Sequence, residues 1–266
     1  MHPPPLALTP ALPSELLTYV LAHQVYPTTL IICQSRNTFL ATLLSTIPQP
    51  IHQISRQTAH AINPHRHPEP QDDDSLPPES QRHPLLIPTL HQITASRQIK
   101  LVFIPTVSHL RAYLSVFPSQ VDEEGDGRPP ELKVDKLGKN AALLIVYGLV
   151  DLHRDTSEWS AQGVGNSVAG LVEAGCKGER RIVVIEERKK EGDAGVDVAH
   201  GAEESDQPTR KPGWKVWGQR VPMLNGSVRR PGFESEDSAW SGRTIEVGRI
   251  FARWFKFGKG DWDIEE

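Results

Sequence analysis

The chain has 266 residues, 38% of them hydrophobic, with 23 prolines, 20 glycines, two cysteines and a net charge of −4. This length suits one α/β domain with a sizeable core, and the Pro and Gly content predicts long loops. Two cysteines, Cys33 and Cys176, exclude a disulfide framework and point to a reducing, intracellular compartment. No stretch reaches the roughly 18 apolar residues of a membrane span, and Met1-His2-Pro3-Pro4-Pro5 does not start a secretory signal.

Residues 1–13 are Pro-rich and read as a flexible lead-in. Ser14 can cap a helix from Glu15 to Gln24, with Leu16, Leu17, Val20 and Leu21 on one face. Thr29–Cys33 is a short apolar run, hence a buried strand, and a helix over Arg36–Leu44 follows. Residues 52–84 carry prolines, an Asp72-Asp73-Asp74 run and scattered histidines, and read as a disordered insertion. Leu85–Ser96 is helical, Ile99–Ile104 is a strand, and Ser108–Phe117 is a helix with Leu110, Tyr113 and Leu114 inward. Residues 118–138 form a second, acidic insertion.

Ala142–Tyr147 is a fully buried strand that runs through a loop at 148–154 toward a helix. Asp155 and Glu158 have capping-box spacing for that helix, which carries Val164, Val168, Leu171 and Val172. Gly163, Gly165 and Gly170 weaken it by up to about 1 kcal/mol each, unless they let it pack closely. Arg181–Ile185 is a further buried strand, and 186–212 is a third insertion. Trp214–Trp217, Val221–Leu224 and Arg243–Phe257 read as antiparallel strands with turns at Asn225-Gly226 and Ser241-Gly242, before an acidic tail at 261–266. The repeated strand-then-helix order predicts an α/β fold over 14–260, with a mainly parallel sheet flanked by helices and antiparallel C-terminal strands.

The chemistry is marked by what is missing. A buried strand that ends in an acid and feeds a helix is how many ATPases hold magnesium, but this one ends in Tyr147. Gly138-Lys139-Asn140 and Gly258-Lys259-Gly260 have a Gly-Lys pair without the rest of a phosphate loop. Intrinsic ATPase activity, a catalytic residue and a bound cofactor are therefore not expected. His52, His60, His65, His67 and His83 lie far in sequence from either cysteine, and read as a His-rich loop rather than a zinc site. The elbow motif of a serine hydrolase is absent; Gly165-Asn166-Ser167 only echoes it inside a helix. Asp151 and His153 leave an acid–base enzyme as a minor reading.

Charge is uneven. Residues 210–260 carry eleven Lys and Arg against four Asp and Glu, a balance of +7, which leaves −11 for the rest. Trp214, Trp217, Phe233, Trp240, Phe251, Trp254, Phe255 and Phe257 interleave with these cations. Basic side chains neutralise phosphates and exposed rings stack on bases, so Arg229, Arg230, Arg249, Arg253 and Lys256 are the candidate nucleic-acid contacts. For Phe251 and Phe255 the plainer reading, core of the last strands, is preferred.

The strand at Leu143–Tyr147, then His153-Arg154-Asp155 and Glu158-Trp159-Ser160-Ala161-Gln162, resembles the RecA-like core of recombinase paralogues. That family has a strand ending in an acid, an arginine soon after, and a helix opening with Glu-Leu-Ser-Ala-Arg-Gln. The motif-like overlap covers about thirty residues. Tyr147 in place of the acid and the missing phosphate loop resemble the non-catalytic members, Shu-type recombination mediators or RecA-like Elongator subunits. Thr29 also lies too near the start for that phosphate loop to fit comfortably before it. The resemblance implies a pseudo-ATPase subunit of a nuclear complex supporting homologous recombination. Its partners would be RecA-like paralogues or a recombinase in a hetero-oligomer, and DNA, single strands included. The alternative it implies is a scaffold in an Elongator-like tRNA-modification assembly, with a cytoplasmic location.

Overall fold

A computed structural model describes residues 4–47, 83–118, 142–188, 214–224 and 243–263. The expected insertions, the His52–His67 cluster and both C-terminal turns fall wholly or mostly outside them. Strands β1 (Leu6–Leu8), β2 (Thr28–Ile32), β3 (Ile99–Phe103), β4 (Leu143–Tyr147), β5 (Arg181–Ile185) and β8 (Lys256–Gly258) form one sheet. Its order is β3-β2-β4-β5-β1-β8, and every pairing is parallel. The helices are α1 (Pro13–His23), α2 (Arg36–Thr46), α3 (Leu90–Arg97), α4 (Val107–Ser115), α5 (Leu149–His153), α6 (Ala161–Lys177) and α7 (Val247–Phe251). Strands β6 (Arg220–Pro222) and β7 (Thr244–Glu246) make a separate antiparallel pair. The α/β architecture with a mainly parallel sheet is thus the observed one.

The central strands are buried on both faces, so their side chains alternate between two cores. Ile31, Leu144, Val146, Ile182 and Val184 join Val107, Leu110, Val164, Val168, Leu171 and Phe251 on one face. Leu30, Ile32, Leu143, Ile145, Tyr147, Val183 and Ile185 join Leu16, Tyr19, Val20 and Phe39 on the other. This is why β4 and β5 read as unbroken apolar runs: in a doubly covered sheet neither side of a strand meets water. Each such Leu, Ile or Val contributes roughly 1.5–3 kcal/mol by burial. The chain steps from β1 to β2 to β3 in one direction, then returns through β4 and β5. Right-handed crossovers in opposite directions put helices on opposite faces of a sheet, which accounts for the two layers.

Five expectations are corrected. The N-terminal lead-in contains β1, hydrogen-bonded between β5 and β8 near one end of the sheet. Residues 148–154 are not a loop: Gly148, at φ 79°, turns the chain into the short helix α5. Asp155 and Glu158 do not open the next helix, which starts at Ala161 under the Ser160 hydroxyl, an acceptor for Gly163 N–H at 3.0 Å. At the C-terminus, Trp214–Trp217 is not a strand, Val247–Phe251 is helical, and β8 is parallel to β1. Glu186, Glu187 and Arg188, expected to start an insertion, instead extend β5 beside Ala11.

Candidate functional site at the carboxyl ends of the strands

Open parallel sheets bind ligands outside the carboxyl ends of their strands, where neighbouring strands send the chain in opposite directions. Here β1 leads toward β2 and its neighbour β5 leads toward β8. Between them lies a strand–loop–helix unit, β1, Thr9–Leu12 and α1, the arrangement in which a phosphate loop works. The place for such a loop therefore exists, contrary to expectation; its residues do not serve one. A phosphate loop needs free backbone N–H groups pointing at the anion. Thr9 N–H donates to Gly258 O at 3.2 Å, and Ala11 N–H to Glu186 O at 2.9 Å. Leu12 N–H donates to Glu15 Oε2 at 2.7 Å. Pro10 and Pro13 have no N–H. Every backbone donor from Thr9 to Pro13 is absent or engaged.

The same crevice is stitched across. Arg188 N–H donates to Ala11 O at 3.0 Å, so the β1 loop and the β5 extension pair as strands do. The positive end of α1, where a phosphate would sit, already holds the Glu15 carboxylate, itself paired with Arg188 at 3.2 Å. Tyr147 is fully buried and its hydroxyl donates to Ala11 O at 3.0 Å. Burial holds its phenol far above the usual range, so it stays a proton donor. The residue that ends β4 thus pins the closed loop.

Glu186 sits beside Tyr147 at the end of β5 and is wholly buried. Burial, reinforced by the Asp151 charge, raises its carboxyl to about 8. Its Oε1 accepts from Val150 N–H at 3.0 Å, while Oε2 is buried with no hydrogen-bond partner among the described residues. Asp151 itself pairs with Arg154 at 3.0 Å, and Arg154 reaches Gln219 at 2.8 Å. The cluster ties β5, α5 and the β6 approach together.

His153, the other acid–base candidate, is buried in a fully specified network. Its Nδ1 donates to Leu149 O at 2.8 Å, because a carbonyl can only accept. Nε2 must then accept from the Ser167 hydroxyl at 2.9 Å, and Ser167 Oγ accepts from Arg111 Nε at 3.2 Å. Arg111 also binds Glu158 at 2.7 Å and Gly163 O at 3.0 Å. Burial lowers the His153 basicity, so the neutral ring persists. Serine and histidine here are coupled, yet both are closed to solvent, and the chain of donors joins α4, α5 and α6.

Of the nucleic-acid candidates, Arg229 and Arg230 lie outside the described residues. Arg249, Arg253 and Lys256 are all exposed, along α7 and edge strand β8. Arg253 lies over the Trp254 ring at 5.0 Å. Trp217, Phe251 and Phe255 are core residues, their rings in mutual edge contacts of 5.0 and 5.4 Å, and cannot stack on bases. His83 caps a short 3₁₀ turn by accepting from Leu85 N–H at 3.2 Å. Among the described residues no cluster of metal ligands forms. No helix there is long and apolar enough to cross a membrane.

Sequence reasoning missed Glu15, Glu186 and Arg188. Only a glutamate directly after a buried apolar run hinted at Glu186. Compared with protein-family models, with curated proteins and with solved structures, the chain matches none.

Proposed function

We propose that this chain is a non-enzymatic, RecA-like pseudo-ATPase subunit that works by contacts, within a nuclear complex supporting homologous recombination. The observation that carries the non-enzymatic part is the loop Thr9–Pro13, whose backbone donors are all absent or already engaged. A site built that way has nothing to offer a nucleotide phosphate, and Tyr147 has no carboxylate for magnesium. The DNA-binding part rests on the basic stretch at 210–260, of which Arg249, Arg253 and Lys256 are exposed on one segment. Such contacts neutralise backbone phosphates and carry no sequence preference.

Fluorescence anisotropy with a labelled single-stranded oligonucleotide tests this. Replacing Arg249, Arg253 and Lys256 together by Ala should weaken binding on every sequence and flatten the salt dependence by about 2–3 in log–log slope. Arg229→Ala with Arg230→Ala should act in the same direction. Unchanged affinity and slope in both variants would remove DNA from the reading. Co-purification with Elongator subunits instead of recombinases would replace it with the scaffold alternative.

A further inference from the structure

Beyond β8 the chain folds back over α1 and the β1 loop, and fills a slot there with a single aromatic ring. Trp262 packs against the core face that holds Tyr19, its ring edge-on to that phenol at 5.8 Å. Its Nε1 donates to Pro10 O at 3.1 Å. The indole lies directly over Gly260: a Cβ there would stand 2.3 Å from Trp262 Cε2, so the missing side chain is what lets the ring fold in. Gly260 N–H donates to Thr9 Oγ1 at 3.0 Å. Each acid beside the tryptophan meets a basic side chain. Asp261 lies 3.5 Å from Nε2 of His23, whose ring stacks on Tyr19 at 4.3 Å. Arg188 pairs with Glu15 through one nitrogen and turns the other toward Asp263 at 4.0 Å.

These are the contacts of a docked peptide. Residues 259–263 add neither strand nor helix to the fold. One aromatic anchor in a slot carries most of the affinity of such a segment, and charges around it select the partner. The ion pair at the rim is exposed, His23 by 43% and Asp261 by 65%, and surface pairs of that kind hold weakly. The segment can therefore leave without disturbing the parallel sheet. We propose that this slot is a docking site for an acidic peptide with one tryptophan, kept closed by the chain's own segment 260–263. The observed occupant supplies the chemistry: an extended stretch of a partner protein, with an indole for the Tyr19–Pro10 slot and a carboxylate on either side for His23 and Arg188. A tethered segment acts at an effective concentration on the order of millimolar, so a partner at lower concentration displaces it only by binding more tightly. The inference is independent of DNA binding, which sits on the α7–β8 segment.

Anisotropy of a labelled peptide that copies residues 259–266, titrated with the full chain, tests it. Trp262→Ala empties the slot and should bind the peptide saturably. The native chain, with the slot filled, should bind it at least about tenfold more weakly. Gly260→Ala leaves every slot residue in place and drives only the indole out, so it should bind as Trp262→Ala does. A peptide with Ala for Trp should not bind. His23→Glu in the Trp262→Ala background should weaken binding about threefold to fivefold, with unchanged circular dichroism. No saturable binding by either opened variant would overturn the proposal and leave segment 260–263 as part of the fold's own packing. Equal binding by the native chain, or equal binding of the peptide without tryptophan, would overturn it too. So would a native dimer that Trp262→Ala dissociates, because the segment would then fill the slot of a second copy.

Discussion

Glu186 shows what a single buried carboxyl does to this molecule. Its folded pKa of about 8 lies above the ordinary 4.5, so the folded state holds a proton that the unfolded chain has released. That contribution to stability is complete below about pH 4.5, shrinks as pH rises, and is lost by about pH 8. Glu186→Gln keeps an acceptor for Val150 N–H and removes the titration. The variant should therefore gain in Tm over the native chain at pH 8 and lose that advantage at pH 5, read by thermal unfolding across pH; parallel curves would contradict the assignment. Ser167 is a second such residue. Ser167→Ala leaves Arg111 Nε and His153 Nε2 without their shared partner and should cost about 1–3 kcal/mol in denaturant unfolding. Neither role was legible in the sequence, because Arg111 and Ser167 are brought together only by the packing of α4 on α6. Asp151 and His153, the minor acid–base reading, sit in an ion pair with Arg154 and in a closed donor chain.

At the scale of elements, glycine separates two kinds of position on α6. A Cβ on Gly175 would stand 2.4 Å from Ile182 Cγ1, so this residue lets the helix lie directly on β5. Gly165 has its nearest such neighbour, Ile250 Cγ2, at 3.9 Å, which is ordinary contact. Gly175→Ala should destabilise by about 1–3 kcal/mol through overpacking. Gly165→Ala should stabilise by up to about 1 kcal/mol through helix propensity. Denaturant midpoints of the pair check both signs at once. Gly175 thus serves packing within the chain, and Gly165 does not. Buried strands β2, β4 and β5 were legible because long apolar runs leave few alternatives. Strand β1 was not: Leu6–Leu8 is three residues set among prolines, ordered by parallel partners on both sides rather than by its own propensity. The pairing sense of β8 was hidden for a similar reason, since residues near Phe257 specify extended backbone but not which strand they join.

For the whole molecule, the switch point of the parallel sheet is sealed from within. Glu15 occupies the helix terminus, Ala11 pairs with the β5 extension, and Tyr147 holds the loop from below. The absent motif was readable; the sealing was not, because Glu15, Tyr147 and Arg188 lie far apart along the chain. The charge asymmetry then places cations on α7 and β8, at the sheet edge opposite β3. The most direct test is anisotropy of a labelled single-stranded oligonucleotide titrated with the full chain at several salt concentrations, with and without ATP and magnesium. Binding that weakens steeply with salt and ignores ATP is the predicted result. Absence of binding, or binding that requires ATP, would contradict a sealed site on a DNA-binding subunit.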